Sequence, residues 1–326
     1  MKTCWIKSDD KAAVLEYRDL PIPEPKAGEV VLKNYGSSLN RGELIVGSVV
    51  HGGPLKLGGG DGAGVVHAIG AGAGVTGFKV GDKVYGRVMG GWAEYCAARA
   101  EQLMPMPENL TWEQAASVGV AFLTAYELIF APYGKLKKGE TLLVAGASSG
   151  VGVAAVQIGK ALGCTVIGTS GSADKLAKLK ALGMDHGIHT RKPDFAAKVK
   201  ELTGGKGIDL AINLVGGSVF AELMRTLARK GRIGIVGYVD GVFKAEIDLT
   251  ALHANRFEVY GISNSKATAE EKAEAMRCFI RDVAPMLNDG RIVPVVDKVF
   301  AFDQLPEAKK YVESDVQMGK VVVRVQ

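Results

Sequence analysis

Residues 141–152, TLLVAGASSGVG, constrain this chain more than any other stretch. An apolar run, Leu142-Leu143-Val144-Ala145, enters a turn of small residues, Gly146-Ala147-Ser148-Ser149-Gly150-Val151-Gly152. A helix-like run over 153–162 follows, and then a second apolar segment, Thr165-Val166-Ile167. Strand, tight turn, helix and strand fit within about 30 residues. Small residues at such a turn let backbone N–H groups come close to a diphosphate at a helix N-terminus, where the helix dipole favours negative charge.

The turn departs from the dinucleotide fingerprint, which places glycine at three spaced positions. Counting back from Gly152, the other two positions hold Ala147 and Ser149. Alone, the turn also fits an ordinary strand-to-helix connection. Its context favours a dinucleotide site and assigns Ala147, Ser148, Ser149, Gly150, Val151 and Gly152 to it.

The alternation continues downstream. Strands are expected at 142–145, 165–169, 187–189, 210–214, 231–236 and 257–261, with helices over 151–162, 173–182, 194–202 and 218–228. That pattern implies an α/β fold with a doubly wound parallel sheet. Segments 209–217, DLAINLVGG, and 231–237, GRIGIVG, put glycines at strand ends, where ligands bind in open α/β sheets, so Val215, Gly237 and Tyr238 are placed at the cofactor. The first third instead shows short apolar runs broken by glycine, the mark of a compact barrel-like β domain. Thr111-Trp112-Glu113-Gln114 resembles a capping box, and a helix is expected over 122–130. A charged amphipathic helix over 269–287 and strands near 293–300 and 320–325 are expected to complete the first domain. The nucleotide domain is then an insertion, with boundaries at 1–122 plus 265–326 and at 123–264.

The length of 326 residues accommodates two such domains. The net charge of +5 is spread among interleaved acids and bases, without the basic block that tracks nucleic acid. No apolar run approaches the roughly 20 residues that span a bilayer, and the first residues lack a signal-peptide core. The four cysteines, Cys4, Cys96, Cys164 and Cys278, form no CxxC pair, which points to a reducing compartment and a cytoplasmic protein with free thiols.

An ordered set of segments resembles the medium-chain dehydrogenase/reductase superfamily, in particular its zinc-free quinone oxidoreductase branch. The set includes Ser38-Leu39-Asn40 with Glu43, Gly59-Gly60-Asp61-Gly62-Ala63-Gly64, Phe78-Lys79-Val80-Gly81-Asp82-Lys83-Val84, Gly91-Trp92-Ala93-Glu94-Tyr95, Leu123-Thr124-Ala125 and the closing Gly319-Lys320-Val321-Val322. The resemblance implies a GroES-like β-barrel catalytic domain plus a Rossmann domain. Zinc-dependent relatives carry Cys where this chain has Asn40, and a His-Glu pair where it has Gly60-Asp61. A catalytic zinc needs about three protein ligands, so no metal is expected.

An NAD site carries an acidic residue about 20 positions past the glycine loop. Here the second strand ends Thr169-Ser170-Gly171-Ser172-Ala173-Asp174-Lys175. The hydroxyls of Ser170 and Ser172 with Lys175 suit a 2′-phosphate, so NADPH is expected, although Asp174 would face a ribose if the turn were shifted. By the resemblance Lys175 binds that phosphate, with Thr190 at a position where the family often has Tyr and Arg191 beside it as a substitute.

Without a metal to polarise a carbonyl, hydride transfer to an electron-poor quinone or α,β-unsaturated carbonyl is the reaction left open. The resemblance puts Asn40 beside the nicotinamide and Thr124 against the cofactor. His51 stands near the place where enoyl-thioester reductases use a Tyr proton donor, and is the second catalytic candidate. Tyr126 is a further candidate, with core packing the alternative. An enoyl-thioester (acyl-CoA) reductase is the competing enzyme, and a non-catalytic NADPH-binding or moonlighting protein the competing class. A homodimer formed by Rossmann edge strands is expected from the family.

Overall fold

A computed structural model describes residues 1–8, 13–44, 55–72, 77–130, 132–264 and 266–326. The chain forms two compact units, Met1–Leu123 with Asn264–Gln326, and Thr124–Ser263.

The first unit opens with strands β1 (Lys2–Ser8), β2 (Ala13–Asp19) and β3 (Glu29–Ser38), the short helix α1 (Arg41–Leu44), and strands β4 (Lys56–Leu57), β5 (Asp61–Ile69), β6 (Lys83–Arg87), β7 (Tyr95–Arg99) and β8 (Leu103–Pro105). Helices α2 (Trp112–Ala116) and α3 (Gly119–Ile129) follow. Thr111 caps α2 in the expected box: its Oγ1 accepts from the Gln114 amide and its own amide donates to the Gln114 side chain.

The second unit contains β9 (Thr141–Ala145), α4 (Gly150–Ala161), β10 (Thr165–Ser170), α5 (Ala173–Ala181), β11 (His186–His189), α6 (Ala196–Leu202), β12 (Ile208–Asn213), α7 (Phe220–Thr226), β13 (Leu227–Ile235), α8 (Leu249–Asn255) and β14 (Glu258–Gly261). The chain then returns to the first unit with α9 (Ala269–Asp282), α10 (Ala284–Asn288), β15 (Val296–Ala301), α11 (Leu305–Glu313) and β16 (Lys320–Arg324).

In the first unit β3 is the organising strand. It pairs with β5 on one side and, along its other edge, with β7 near its start and β16 near its end. The resulting seven-stranded sheet runs β15-β16-β3-β5-β6-β8, with β7 on β3, and a smaller sheet runs β2-β1-β4. Alternate residues of paired strands, Val30 and Leu32 with Cys96 and Ala98, turn into one apolar cluster with Val66 and Val84. Helix α11 buries Leu305, Ala308 and Val312 against Val321 and Val323 of β16, at the spacing of one helix face.

The second unit is a parallel sheet in the order β11-β10-β9-β12-β13-β14. Every residue of β9 is buried, because helices must cover both faces of a parallel sheet. The order reverses beside β9, and such a switch point leaves a crevice at the carboxyl ends of the strands. Arg232, 7% exposed, fastens the opposite end. Its guanidinium donates to the Lys135 carbonyl at 2.9 Å, the Asp209 carbonyl at 3.1 Å and the Glu140 carboxylate at 2.7 Å.

The helix expected over 269–287 is two helices. Pro285 has no N–H, and its ring clashes with the carbonyl four residues back, so α9 ends at Asp282 and α10 begins at Ala284. Helices α8 and α11 are not among the expected elements. The signal for α11 is nevertheless present in Pro306 at a helix start and apolar residues at 305, 308 and 312.

Replacing Arg232 with Met should lower unfolding stability by about 3 kcal/mol, since Glu140 and two carbonyls lose a buried partner. Removing the exposed α9 cap by Thr268→Ala should cost only about 1 kcal/mol. Urea denaturation of the two variants measures both, and a smaller loss at Arg232 than at Thr268 would contradict the fastening role of Arg232.

Candidate active site and cofactor loop

The loop between β9 and α4 shows why its altered fingerprint works. The residue that needs glycine's left-handed freedom is Gly146, at φ +83°, one position before the first expected slot. Ala147 is fully buried, donates its amide to the Thr169 carbonyl at 3.0 Å, and lies against Gly168, where an added Cβ would sit 2.7 Å from the Ala147 methyl. The side chain missing from β10 makes room for the one added in the loop. Ser149 caps α4: its Oγ accepts from the Gly152 amide at 3.1 Å and donates to the Gly146 carbonyl at 3.0 Å. Of the three fingerprint positions, Gly152 is the one where glycine is sterically required, because a Cβ there would lie 2.6 Å from the carbonyl oxygens of Gly146 and Ala147. The first-turn amides of Gly150 and Val151 have no intrahelical acceptor, so the helix start presents N–H groups to an anion.

A second polar cluster stands at the ends of β10 and β11. Ser148 Oγ and Ser170 Oγ are 3.3 Å apart, and the Ser172 amide donates to Ser170 Oγ at 3.3 Å. Ser172 caps α5 by accepting from the Lys175 amide. The Arg191 guanidinium lies against Gly171, where an added Cβ would meet its Nε at 2.5 Å. Lys175 stands in the first turn of α5, an unfavourable place for a cation unless an anion is near. Asp174 is exposed in that same turn, where the dipole gives a carboxylate a local reason to be. Thr190 serves its own turn, since its hydroxyl donates to the Asp194 carboxylate at 2.6 Å and accepts from the Lys192 amide at 2.9 Å. Arg191 is therefore the better placed of the two for an anion.

The loops after β12 and β13 touch each other. A Cβ on Gly237 would lie 2.5 Å from the Leu214 carbonyl oxygen, and Val215 donates its amide to Asn213 Oδ1 at 3.0 Å. Tyr238 is half-exposed and tilted against Phe243 at 5.3 Å. Thr124 is buried in α3, and Tyr126 is buried and stacked on Phe130 at 4.4 Å, in keeping with core packing. His51 lies outside the described residues.

The first unit holds a buried charge network that the motifs only touch. Asp61, at the start of β5, has 0% exposure and carries a carboxylate. Its Oδ2 accepts from Ser38 Oγ at 2.6 Å and Asn40 Nδ2 at 2.8 Å, and its Oδ1 accepts from the Val120 amide at 2.5 Å. The buried Lys320 ammonium lies 3.7 Å from the same carboxylate, and donates to Asn40 Oδ1 at 2.6 Å and the Leu39 carbonyl at 2.9 Å. Burial holds this ammonium below its usual range, opposed by the charges of Asp61 and Glu43. The Asn40 amide is thus fixed between a cation and a carboxylate. Its side-chain nitrogen also reaches Glu43 Oε1 at 3.5 Å. Glu43 in turn accepts from the Asn40 backbone amide at 3.4 Å, which caps α1. Burial first, and then the Asp61 charge, push the Glu43 carboxyl up to about 7 against the pull of Lys320 and Asn40.

This donor set is a poor fit for a catalytic zinc. Asn40 and Asp61 are engaged with each other and with Lys320, and Gly60 brings no ligand atom. Among the described residues no three His, Cys, Asp or Glu side chains cluster as metal ligands.

Known proteins of the same architecture match both units. Residues 26–108 match the alcohol dehydrogenase GroES-like domain model, and residues 150–281 match the zinc-binding dehydrogenase model. The chain is 31% identical over 339 residues to a zinc-type alcohol dehydrogenase-like protein of Schizosaccharomyces pombe, covering 95% of each. It is 28% identical over 315 residues to the quinone oxidoreductase of Rattus norvegicus, covering 94% of this chain and 92% of that one. Among solved structures, a mycobacterial protein in complex with NADPH superposes over 100% of both chains with a TM-score of 0.87 at 26% identity. A quinone oxidoreductase of Pseudomonas syringae superposes over 100% of both with a TM-score of 0.86 at 28% identity. With a GroES-like unit, a parallel sheet in dinucleotide-binding order and these relatives, the chain belongs to the medium-chain dehydrogenase/reductase superfamily, quinone oxidoreductase branch, and is an oxidoreductase.

Proposed function

We propose that this enzyme is a zinc-independent reductase that transfers hydride from NADPH to a quinone or an α,β-unsaturated carbonyl. One observation carries the choice of cofactor. Strand β10 ends on Ser170 with no carboxylate of its own where an NAD site needs an acid on the ribose, and Ser172, Lys175 and Arg191 stand beside it, whereas the one acid nearby in sequence, Asp174, lies in the first turn of α5. Gly150 and Val151 amides, with Ala147, Ser148, Ser149 and Gly152, would hold the diphosphate, and Val215, Gly237, Tyr238 and Thr124 would line the rest. Bound there, NADPH supplies the hydride. The residues of the chain orient the cofactor and exclude water.

Zinc independence is supported at the positions where, by the resemblance, zinc-dependent relatives have ligands: Asn40 and Asp61 are engaged with each other and with Lys320, and Gly60 has no ligand atom. A homodimer is supported by the outer strand β14, with Val259 half-exposed, and by the exposed Phe243 and Leu249, 61% and 70% accessible, in the segment before it. Three buried thiols and no disulfide among the described residues fit a cytoplasmic setting.

Lys175→Ala should raise KM for NADPH about tenfold and leave KM for NADH within twofold, because one charge-assisted contact is worth about 1.5–3 kcal/mol. The double variant with Arg191→Ala should erase the preference, and an unchanged NADPH:NADH ratio of kcat/KM in both would contradict the phosphate assignment. NADPH oxidation should be rapid with 1,4-benzoquinone or an enone and slow with crotonyl-CoA, and should survive chelation with no stoichiometric zinc by elemental analysis. Fast turnover confined to crotonyl-CoA would favour an enoyl-thioester reductase, and none with any acceptor would favour a non-catalytic protein.

A further inference from the structure

We infer that Asp240 is a positioning residue for the nicotinamide half of the cofactor, acting through the two loops that follow β12 and β13. This rests on the cofactor placement proposed above and names the group that holds one half of that site in shape. In a sheet of order β11-β10-β9-β12-β13-β14, a dinucleotide lies across the switch point with one half on each side. The hydroxyl-rich end of β10 takes the adenosine 2′-phosphate, so the ends of β12 and β13 take the nicotinamide. All the residues involved belong to the second unit.

Two side chains fix those loops, and they do so differently. Asn213, 1% exposed at the end of β12, works within its own loop. Its Oδ1 accepts from the Val215 and Gly216 amides, each at 3.0 Å, and its Nδ2 donates to the Gly216 carbonyl at 2.9 Å. Asp240 joins one loop to the other. Its Oδ2 accepts from the Ser218 amide at 2.9 Å and from Ser218 Oγ, and its Oδ1 accepts from the Val242 amide at 2.8 Å. Backbone bonds run beside it: the Asp240 amide donates to the Val215 carbonyl at 3.0 Å, and the Gly217 amide to the Val242 carbonyl at 2.8 Å. Val215 is thus held by Asn213 at its amide and by Asp240 at its carbonyl. Tyr238 is held in the same turn, since its carbonyl accepts from the Gly241 amide at 3.1 Å.

The backbone is shaped around this carboxylate. Gly216 has φ +135°, and a Cβ there would lie 1.9 Å from Asp240 Oδ1. Between β13 and α8 the chain has no regular structure, and residues 241–250 are exposed throughout. Such a segment is ordered by its polar tethers rather than by burial. Without the carboxylate, Gly216 regains its conformational freedom, and the cofactor has to order both loops as it binds. The loss falls on the nicotinamide, whose placement against the acceptor decides the rate of hydride transfer.

The test compares wild type, Asp240→Ala and Asp240→Asn. Calorimetry gives the affinities for NADPH and for 2′,5′-ADP, which carries the adenosine and its 2′-phosphate but no nicotinamide. NADPH oxidation by 1,4-benzoquinone gives kcat. Asp240→Ala should lower kcat about thirtyfold and NADPH affinity about tenfold, with 2′,5′-ADP affinity within about twofold of wild type. Asp240→Asn keeps one oxygen for Ser218 and loses the acceptor for Val242, so its losses should fall between wild type and Ala. A merely structural role would weaken both ligands alike. An Ala variant with wild-type kcat and NADPH affinity overturns the assignment, and so does a folded one that loses both ligands in equal measure. Should the Ala variant not fold, the Asn variant decides: a lower kcat with 2′,5′-ADP affinity kept supports the role, and wild-type kcat overturns it. Wild type that binds NADPH but reduces no acceptor overturns the reductase reading alone, because the affinity split in Asp240→Ala still reads the hold on the nicotinamide. Wild type that binds no NADPH overturns both.

Discussion

A carboxylate with no access to water has to be surrounded by donors, and in the first unit Asp61 imposes that requirement on everything near it. Its two oxygens draw in the end of β3 through Ser38, the start of α1 through Asn40, the start of α3 through the Val120 amide and the start of β16 through Lys320. Ser37 adds a bond from its hydroxyl to the Asp61 carbonyl at 2.7 Å. Gly119 is forced by the same packing, since a Cβ there would lie 2.5 Å from Asp61 Oδ1. One buried charge thus fixes where four segments meet, and the polar side chains that face outward from that junction inherit their orientation from it.

The second unit solves a different problem with backbone rather than charge. Its loop must bring amides close to an anion, and what it needs is the absence of side chains at particular distances. Gly146 supplies the left-handed residue, Gly152 the close approach of helix to loop, and Gly168 the space that lets Ala147 replace a glycine. Fingerprints written as glycine positions record one solution to this spacing. Here the same clearance is met by moving one glycine outside the motif and another onto the neighbouring strand.

Much of this is legible in the sequence. The strand–helix alternation over 141–261 is a period signal, and it places β9 through β13 within a few residues. Pro285 is an equally readable break, but the charged amphipathic pattern continues through it and points to one helix instead of two. The resemblance puts Thr190 at the cofactor, and what the sequence does not show is that its hydroxyl also bonds within its own turn, because Asp194 lies four residues on and within reach. Glu43 and Lys320 stand out in the sequence only as parts of matching segments. Nothing local marks either as part of a buried charge network.

What the sequence determined by itself is the order and type of elements, the small-residue loop and the hydroxyl-rich end of β10. These are statements about neighbours along the chain, which periodicity and spacing encode. What only the tertiary structure decided is which distant groups share one low-dielectric pocket. Lys320 and Asn40 are 280 residues apart and meet at 2.6 Å. Their meeting depends on β16 returning to pair with the end of β3, and it is that pairing, not any local motif, that brings a cation to the buried Asp61 and Glu43 carboxyls.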